Sequence, residues 1–76
     1  MSREIMFKRK IFSERVNQLR KENNLSQQQL AEIANVSYHM IGKIENQKTS
    51  ASIEVIYQLA DYFDVSIDYL TGRSNR

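Results

Sequence analysis

Phe12, Val16 and Leu19 recur at i, i+4 and i+7, the spacing of residues on one face of an α-helix. The stripe predicts a first helix over roughly residues 9 to 23, stopped at Asn23-Asn24, because asparagine tolerates the left-handed conformation in which helices commonly end. Leu25 then returns to the core. Ser26 with Gln29 three residues on is a capping-box pattern, each side chain satisfying the other's free backbone amide, so a second helix starts at Gln27 and turns Leu30, Ile33 and Ala34 inward. Ser37 caps a third helix running to about Asn46, with Ile41 and Ile44 on its inner face. Ser52 caps a fourth, whose Ile53, Ile56, Leu59, Ala60 and Phe63 fall in one arc at about 100° per residue. Ser66 opens a last short helix with Ile67 and Leu70 inward, ended near Gly72.

Strand-like alternation is missing, and the predicted fold class is all α: a compact domain of five short helices. The turn between the second and third helices is only a few residues long, which holds the two at a steep angle in a helix-turn-helix. There is no proline, and the only glycines are Gly42 and Gly72, so nothing in the interior reads as a flexible linker. Seventy-six residues support one core rather than two. The organisation expected is a basic and apolar extension over 1–10, a helix-turn-helix domain over 11–72 and a tail over 73–76.

With no cysteine there is neither a disulfide framework nor a thiolate metal site, and one histidine makes a protein-only metal cage a poor expectation. No apolar run approaches the ~20 residues that cross a bilayer, and a signal-peptide core is missing, so the expected setting is cytoplasmic, without membrane contact. Catalytic constellations are absent as well. His39 has no carboxylate at a suggestive spacing, no phosphate-binding glycine loop is present, and Asp61, Asp64 and Asp68 read as solvated or capping residues. The expectation is a non-enzyme with no cofactor, metal or small-molecule substrate.

Charge is unevenly distributed. Residues 1–50 carry nine Lys/Arg against five Asp/Glu, net +4, whereas residues 51–76 carry two against four, net −2. A basic half joined to an acidic half suits a molecule with one side turned to a polyanion. The third helix gives that side a chemistry. Tyr38, His39, Gly42, Lys43 and Asn46 share a face opposite Ile41 and Ile44. Gly42 costs roughly 0.5–1 kcal/mol against alanine in a helix interior, which a close-approaching surface would justify. A major groove accepts a helix, and its base edges offer acceptors to Lys or His, methyl groups to aromatic rings and paired sites to Asn. Taken alone, the same face also fits a solvated exterior.

The run "SQQQLAEIANVSYHMIGKIENQKTS", with "RVNQLRKENNL" before it and "IEVIYQLADYFDVSIDYLTG" after it, resembles the helix-turn-helix domain of the phage repressor and Cro (XRE-like) family of bacterial transcriptional regulators. The likeness covers roughly residues 11 to 72 and implies the fold of that family together with sequence-specific binding of double-stranded DNA, the third helix lying in the major groove. By that resemblance Gln27 reaches a backbone phosphate and braces the reading helix. Ser37, Tyr38, His39 and Lys43 touch base edges or adjacent phosphates, and Asn46, Lys48 and Thr49 grip the backbone from the following loop. Arg20 and Glu45 match the family's structural ion pair between the first and third helices. Three positions depart from the pattern: Gln47 and Asn35 stand where the family often has glycine, and Ala51 where it often has proline.

The resemblance also implies a bacterial or phage-encoded homodimer on a near-palindromic operator, regulating by occupancy as a repressor. Val55, Tyr62 and Tyr69 lie off the core arcs and are the expected dimer surface. The cluster Lys8-Arg9-Lys10 either contacts DNA or is a solvated helix start, and the apolar Ile5-Met6-Phe7 either extends the first helix or joins a partner. An antitoxin-like module, whose main partner is another polypeptide, is the competing reading.

Overall fold

A computed structural model describes residues 8–75 of the chain, leaving the Ile5-Met6-Phe7 question outside the described residues. They form five helices and no strand: α1 (Arg9–Glu22), α2 (Gln27–Ala34), α3 (Tyr38–Glu45), α4 (Ile53–Phe63) and α5 (Ile67–Thr71). Each of the last four begins at a serine whose hydroxyl accepts a backbone N–H three residues on: Ser26 from Gln29, Ser37 from Met40, Ser52 from Val55 and Ser66 from Tyr69. At Ser26 the return bond is also made, Ser26 N–H donating to Gln29 Oε1 at 2.8 Å, which completes the capping box.

The helix ends share a second device. Asn24, Asn35, Gln47, Asp64 and Gly72 all have positive φ, between 57° and 89°. Around each left-handed residue a pair of backbone bonds closes the last turn, as where Lys48 N–H donates to Lys43 O and Gln47 N–H to Ile44 O. Only one of the five is glycine. Asparagine and aspartate tolerate this conformation, but glutamine has no such aptitude. At Gly72 two requirements coincide, since φ is 89° and an added Cβ would lie 3.0 Å from Ile11 Cγ2.

The core consists of Phe12 and Val16 from α1, Leu30, Ala31 and Ala34 from α2, Ile41 and Ile44 from α3, Ile56, Leu59 and Ala60 from α4, and Leu70 from α5. α3 packs against α1 and α2, while α4 closes the other side against α2 and α5. Two expected core positions differ. Because α2 is pressed between α3 and α4, its buried face runs through Leu30, Ala31 and Ala34, which leaves Ile33 half-exposed. Ile53, the first residue of α4, projects past the edge of the core and is 62% exposed. Val55 moves the opposite way: expected on the surface, it is half-buried against the core, because its side of α4 adjoins Leu59.

The helix ends give the first test. Gln47→Gly should raise the unfolding free energy by about 0.5–1 kcal/mol by relieving a left-handed side chain. Gly72→Ala should lower it by about 1–2 kcal/mol or more, through backbone strain and the clash with Ile11. Urea denaturation midpoints read both.

Candidate nucleic-acid interface

The interface is built from the ion pair outward. Arg20 on α1 grips the Glu45 carboxylate at the end of α3 with two parallel bonds, Nε to Oε2 at 2.7 Å and Nη2 to Oε1 at 3.1 Å. The third guanidinium arm, Nη1, donates to Leu25 O at 2.8 Å and fixes the turn before α2. Two amides complete the shell around Oε1, Asn17 Nδ2 and Gln27 Nε2 each donating at 3.0 Å. Ser13, itself buried, donates its hydroxyl to the Glu45 backbone carbonyl at 2.6 Å, satisfying one of the carbonyls that a helix end leaves free. A single residue of α3 is thereby tied to α1 four times and to α2 once. Asn17 and Ser13 were not foreseen from sequence. The only signal was a serine beside Phe12 in an otherwise apolar stripe.

Burial by itself raises the Glu45 carboxyl pKa, but the hydrogen bonds from Arg20, Gln27 and Asn17 and the Arg20 charge outweigh it and hold the group below its ordinary value. Both side chains are largely withdrawn from solvent, 13% exposed for Arg20 and 6% for Glu45. In such a setting the loss of one partner is costly, because the other is left as an uncompensated charge.

With its inner face in the core and its end held by Glu45, α3 turns one arc outward. Tyr38 is 50% exposed, and His39 and Lys43 are exposed beside it. The Tyr38 and His39 rings meet edge to face with centroids 5.7 Å apart. Gly42 lies in the same arc, and a Cβ built on it meets nothing within 4 Å, so no part of the described chain demands glycine there. Ser37 stands at the N-terminal end as the cap. Asn46 follows α3 and is exposed, as is Lys48, whereas Thr49 is half-buried and donates to Ser50 O at 3.0 Å. Gln27, half-buried at the start of α2, uses its amide nitrogen on Glu45 and so braces the helix beside which it lies. Among the described residues the only ion pair is Arg20–Glu45, so Lys43 and Lys48 have no carboxylate partner.

The expected self-association residues fare differently. Tyr62 is 48% exposed at the edge of α4. Tyr69 is half-buried, because the Arg15 guanidinium lies over its ring at 4.2 Å and donates to the Tyr69 and Ser74 carbonyls. Val55 packs on the core.

A family model described as helix-turn-helix matches residues 16–70. The chain belongs to the helix-turn-helix family. Among curated members it is 34% identical over 65 residues to the control protein C.SmaI of Serratia marcescens, covering 86% of this chain and 77% of that one. It is 32% identical over 62 residues to YobD of Bacillus subtilis, an uncharacterized HTH-type transcriptional regulator, of whose length it spans 55%. Among solved structures, a transcriptional regulator from Listeria innocua superposes with a TM-score of 0.77 at 38% identity, over 80% of this chain and 57% of that one. The restriction-modification controller protein C.AhdI from Aeromonas hydrophila superposes with a TM-score of 0.73 at 27% identity, over 82% of this chain and 94% of that one. The all-α family fold is thus established. Several relatives are longer than the matched region, and the chain spans little more than half of YobD and of the Listeria regulator.

The Glu45 cluster predicts a pH dependence with a definite sign. A folded-state pKa below the unfolded value contributes stability that is present above the unfolded value, near 4.5, and is lost as pH falls through the folded value. Glu45→Gln should therefore show a shallower loss of stability on acidification below about pH 4.5 than the parent chain, while being the less stable of the two at pH 7. Urea midpoints collected from pH 3 to 7 for both chains measure the difference.

Proposed function

We propose that this chain is a sequence-specific duplex-DNA-binding transcriptional regulator that lays α3 in the major groove, acts as a homodimer on a near-palindromic site and represses by occupancy. The observation that carries the reading is the outward arc of α3. Tyr38, His39 and Lys43 stand exposed on a helix whose opposite side is fully buried. Family membership and the likeness to named regulators and controller proteins support it.

The physics divides the labour. Lys48 and Lys43 displace counterions from the phosphate backbone, which gives affinity that falls with salt and discriminates little. Selectivity comes from the few side chains at base edges, a good pair being worth roughly 1–3 kcal/mol. Ser37, Tyr38 and His39 occupy the N-terminal end of α3, where a reading helix meets those edges. Gln27, Asn46 and Thr49 are assigned to the flanking phosphates. Gly42 lets the helix approach closely, since the chain itself leaves the space above it open. Among the described residues no helix is long and apolar enough to cross a membrane, and a cytoplasmic setting is the one proposed.

Selection of bound sequences from a random duplex pool, followed by salt-titrated binding, tests the reading. A preferred sequence with two half-sites about one helical turn apart is expected, and indifference to sequence at every ionic strength contradicts it. On that duplex, Lys43→Ala and His39→Ala should change which sequences bind. Lys48→Ala should weaken all duplexes about equally and reduce the salt slope by about one. Gly42→Ala should stabilise the fold by about 0.5–1 kcal/mol and yet bind DNA less well, opposite signs that only an external surface at Gly42 produces.

A further inference from the structure

α4 presents an outward face that the five-helix core leaves uncovered. Ile53 and Tyr57, four residues apart and each 62% exposed, line a shallow depression together with Glu54 and Gln58. Gln58 Oε1 is screened from solvent there and has no hydrogen-bond partner. Buried polar atoms nearly always find a donor or acceptor, so an orphaned amide oxygen beside two exposed apolar side chains is unusual. The terminal torsion of glutamine is broad, and a modest rotation brings the amide to the mouth of the depression.

We infer that this face of α4 receives a second copy of the chain, with the two-fold axis passing beside Gln58. The inference deepens the homodimer reading above and rests on it. Glu54, Gln58 and Tyr62 form a ridge at i, i+4 and i+8, and ridges of that kind interdigitate when two helices pack at about 50°. An antiparallel copy sets Gln58 against its own symmetry mate. An amide carries both a donor and an acceptor, so the pair is complementary whichever way round each is placed. The same operation sets each Glu54 carboxylate opposite the Tyr62 hydroxyl of the other copy, and that hydroxyl donates. Three residues thus satisfy one another across the axis, the self-complementarity that a two-fold interface requires. Ile53 and Tyr57, on the neighbouring ridge, supply the apolar anchor.

The surface differs from the one expected at Val55, Tyr62 and Tyr69. Val55 is committed to the core and Tyr69 to Arg15, and only Tyr62 is carried over. One face of an eleven-residue helix falls short of the ~800 Å² per partner that tight dimers bury, so the association is weak and concentration-dependent, and two half-sites on one duplex strengthen it.

Sedimentation equilibrium on the full chain without DNA is the experiment. A reversible monomer–dimer equilibrium is expected, weakened roughly tenfold or more by Tyr57→Lys and by Gln58→Glu, with thermal melting of the monomer unchanged. Because the chain has no cysteine, Gln58→Cys reports proximity to the axis directly. Oxidation should convert it to a covalent dimer much faster than Glu22→Cys at the end of α1, and this arm stands even if another variant fails to fold. A wild-type chain monomeric at every concentration, a dimer indifferent to both variants, or cross-linking of Gln58→Cys no faster than that of Glu22→Cys would overturn the assignment. Since DNA is absent from these measurements, a chain that dimerises but prefers no duplex refutes the DNA reading alone, and one that reads DNA as a monomer refutes this inference alone.

Discussion

The position of α3 depends on one carboxylate. An eight-residue helix has too few internal hydrogen bonds to persist by itself, so its existence and its tilt are set by what it packs on. Ile41 and Ile44 press its middle into the core, and Glu45 fastens its end to Arg20, Asn17 and Gln27 through its side chain and to Ser13 through its carbonyl. Withdrawing a charged pair from water is expensive, and the added amide bonds offset much of that cost without making the pair a large source of stability. Its value lies in geometry. Bidentate bonds accept only one orientation of the two planes, so α1 and α3 hold a fixed relation and the outward arc of α3 is presented rigidly.

Much of the fold is legible in local chemistry. Serine at positions 26, 37, 52 and 66 marks every helix start after the first, because its hydroxyl replaces a missing backbone acceptor, and that signal needs no knowledge of the tertiary structure. The asparagines at 24 and 35 and the glycine at 72 mark ends for the same local reason. Gln47 and Asp64 show where the rule weakens. Both are left-handed, yet neither announces it as glycine does, and at Gln47 the pattern of bonds that closes α3 overrides the side chain's own preference.

What was illegible is convergence between distant segments. A helical wheel for α4 gives the direction of Ile53 and Val55 but not whether a neighbour stands there, and both turn out opposite to expectation. Tyr69 seemed spare because nothing in α5 reveals that Arg15, 54 residues earlier, lies across its ring and bonds its carbonyl. Asn17 and Ser13 reach Glu45 over separations of 28 and 32 residues, and no spacing rule connects them. At the candidate interface, by contrast, exposure was the quantity to be read. The outer residues of α3 need only be free of the rest of the chain, which a one-helix periodicity can indicate.

The decisive question is whether duplex DNA meets the arc that Glu45 holds outward. Titrating the isotopically labelled chain with its selected duplex, while following backbone amide resonances, answers it residue by residue. The largest shifts should fall at Gln27, at Ser37 through Lys43 and at 46–49, with Phe12, Val16 and Leu70 in the core little changed. Shifts centred on α1 or α5, with the outer arc of α3 unmoved, would contradict the role assigned to that helix.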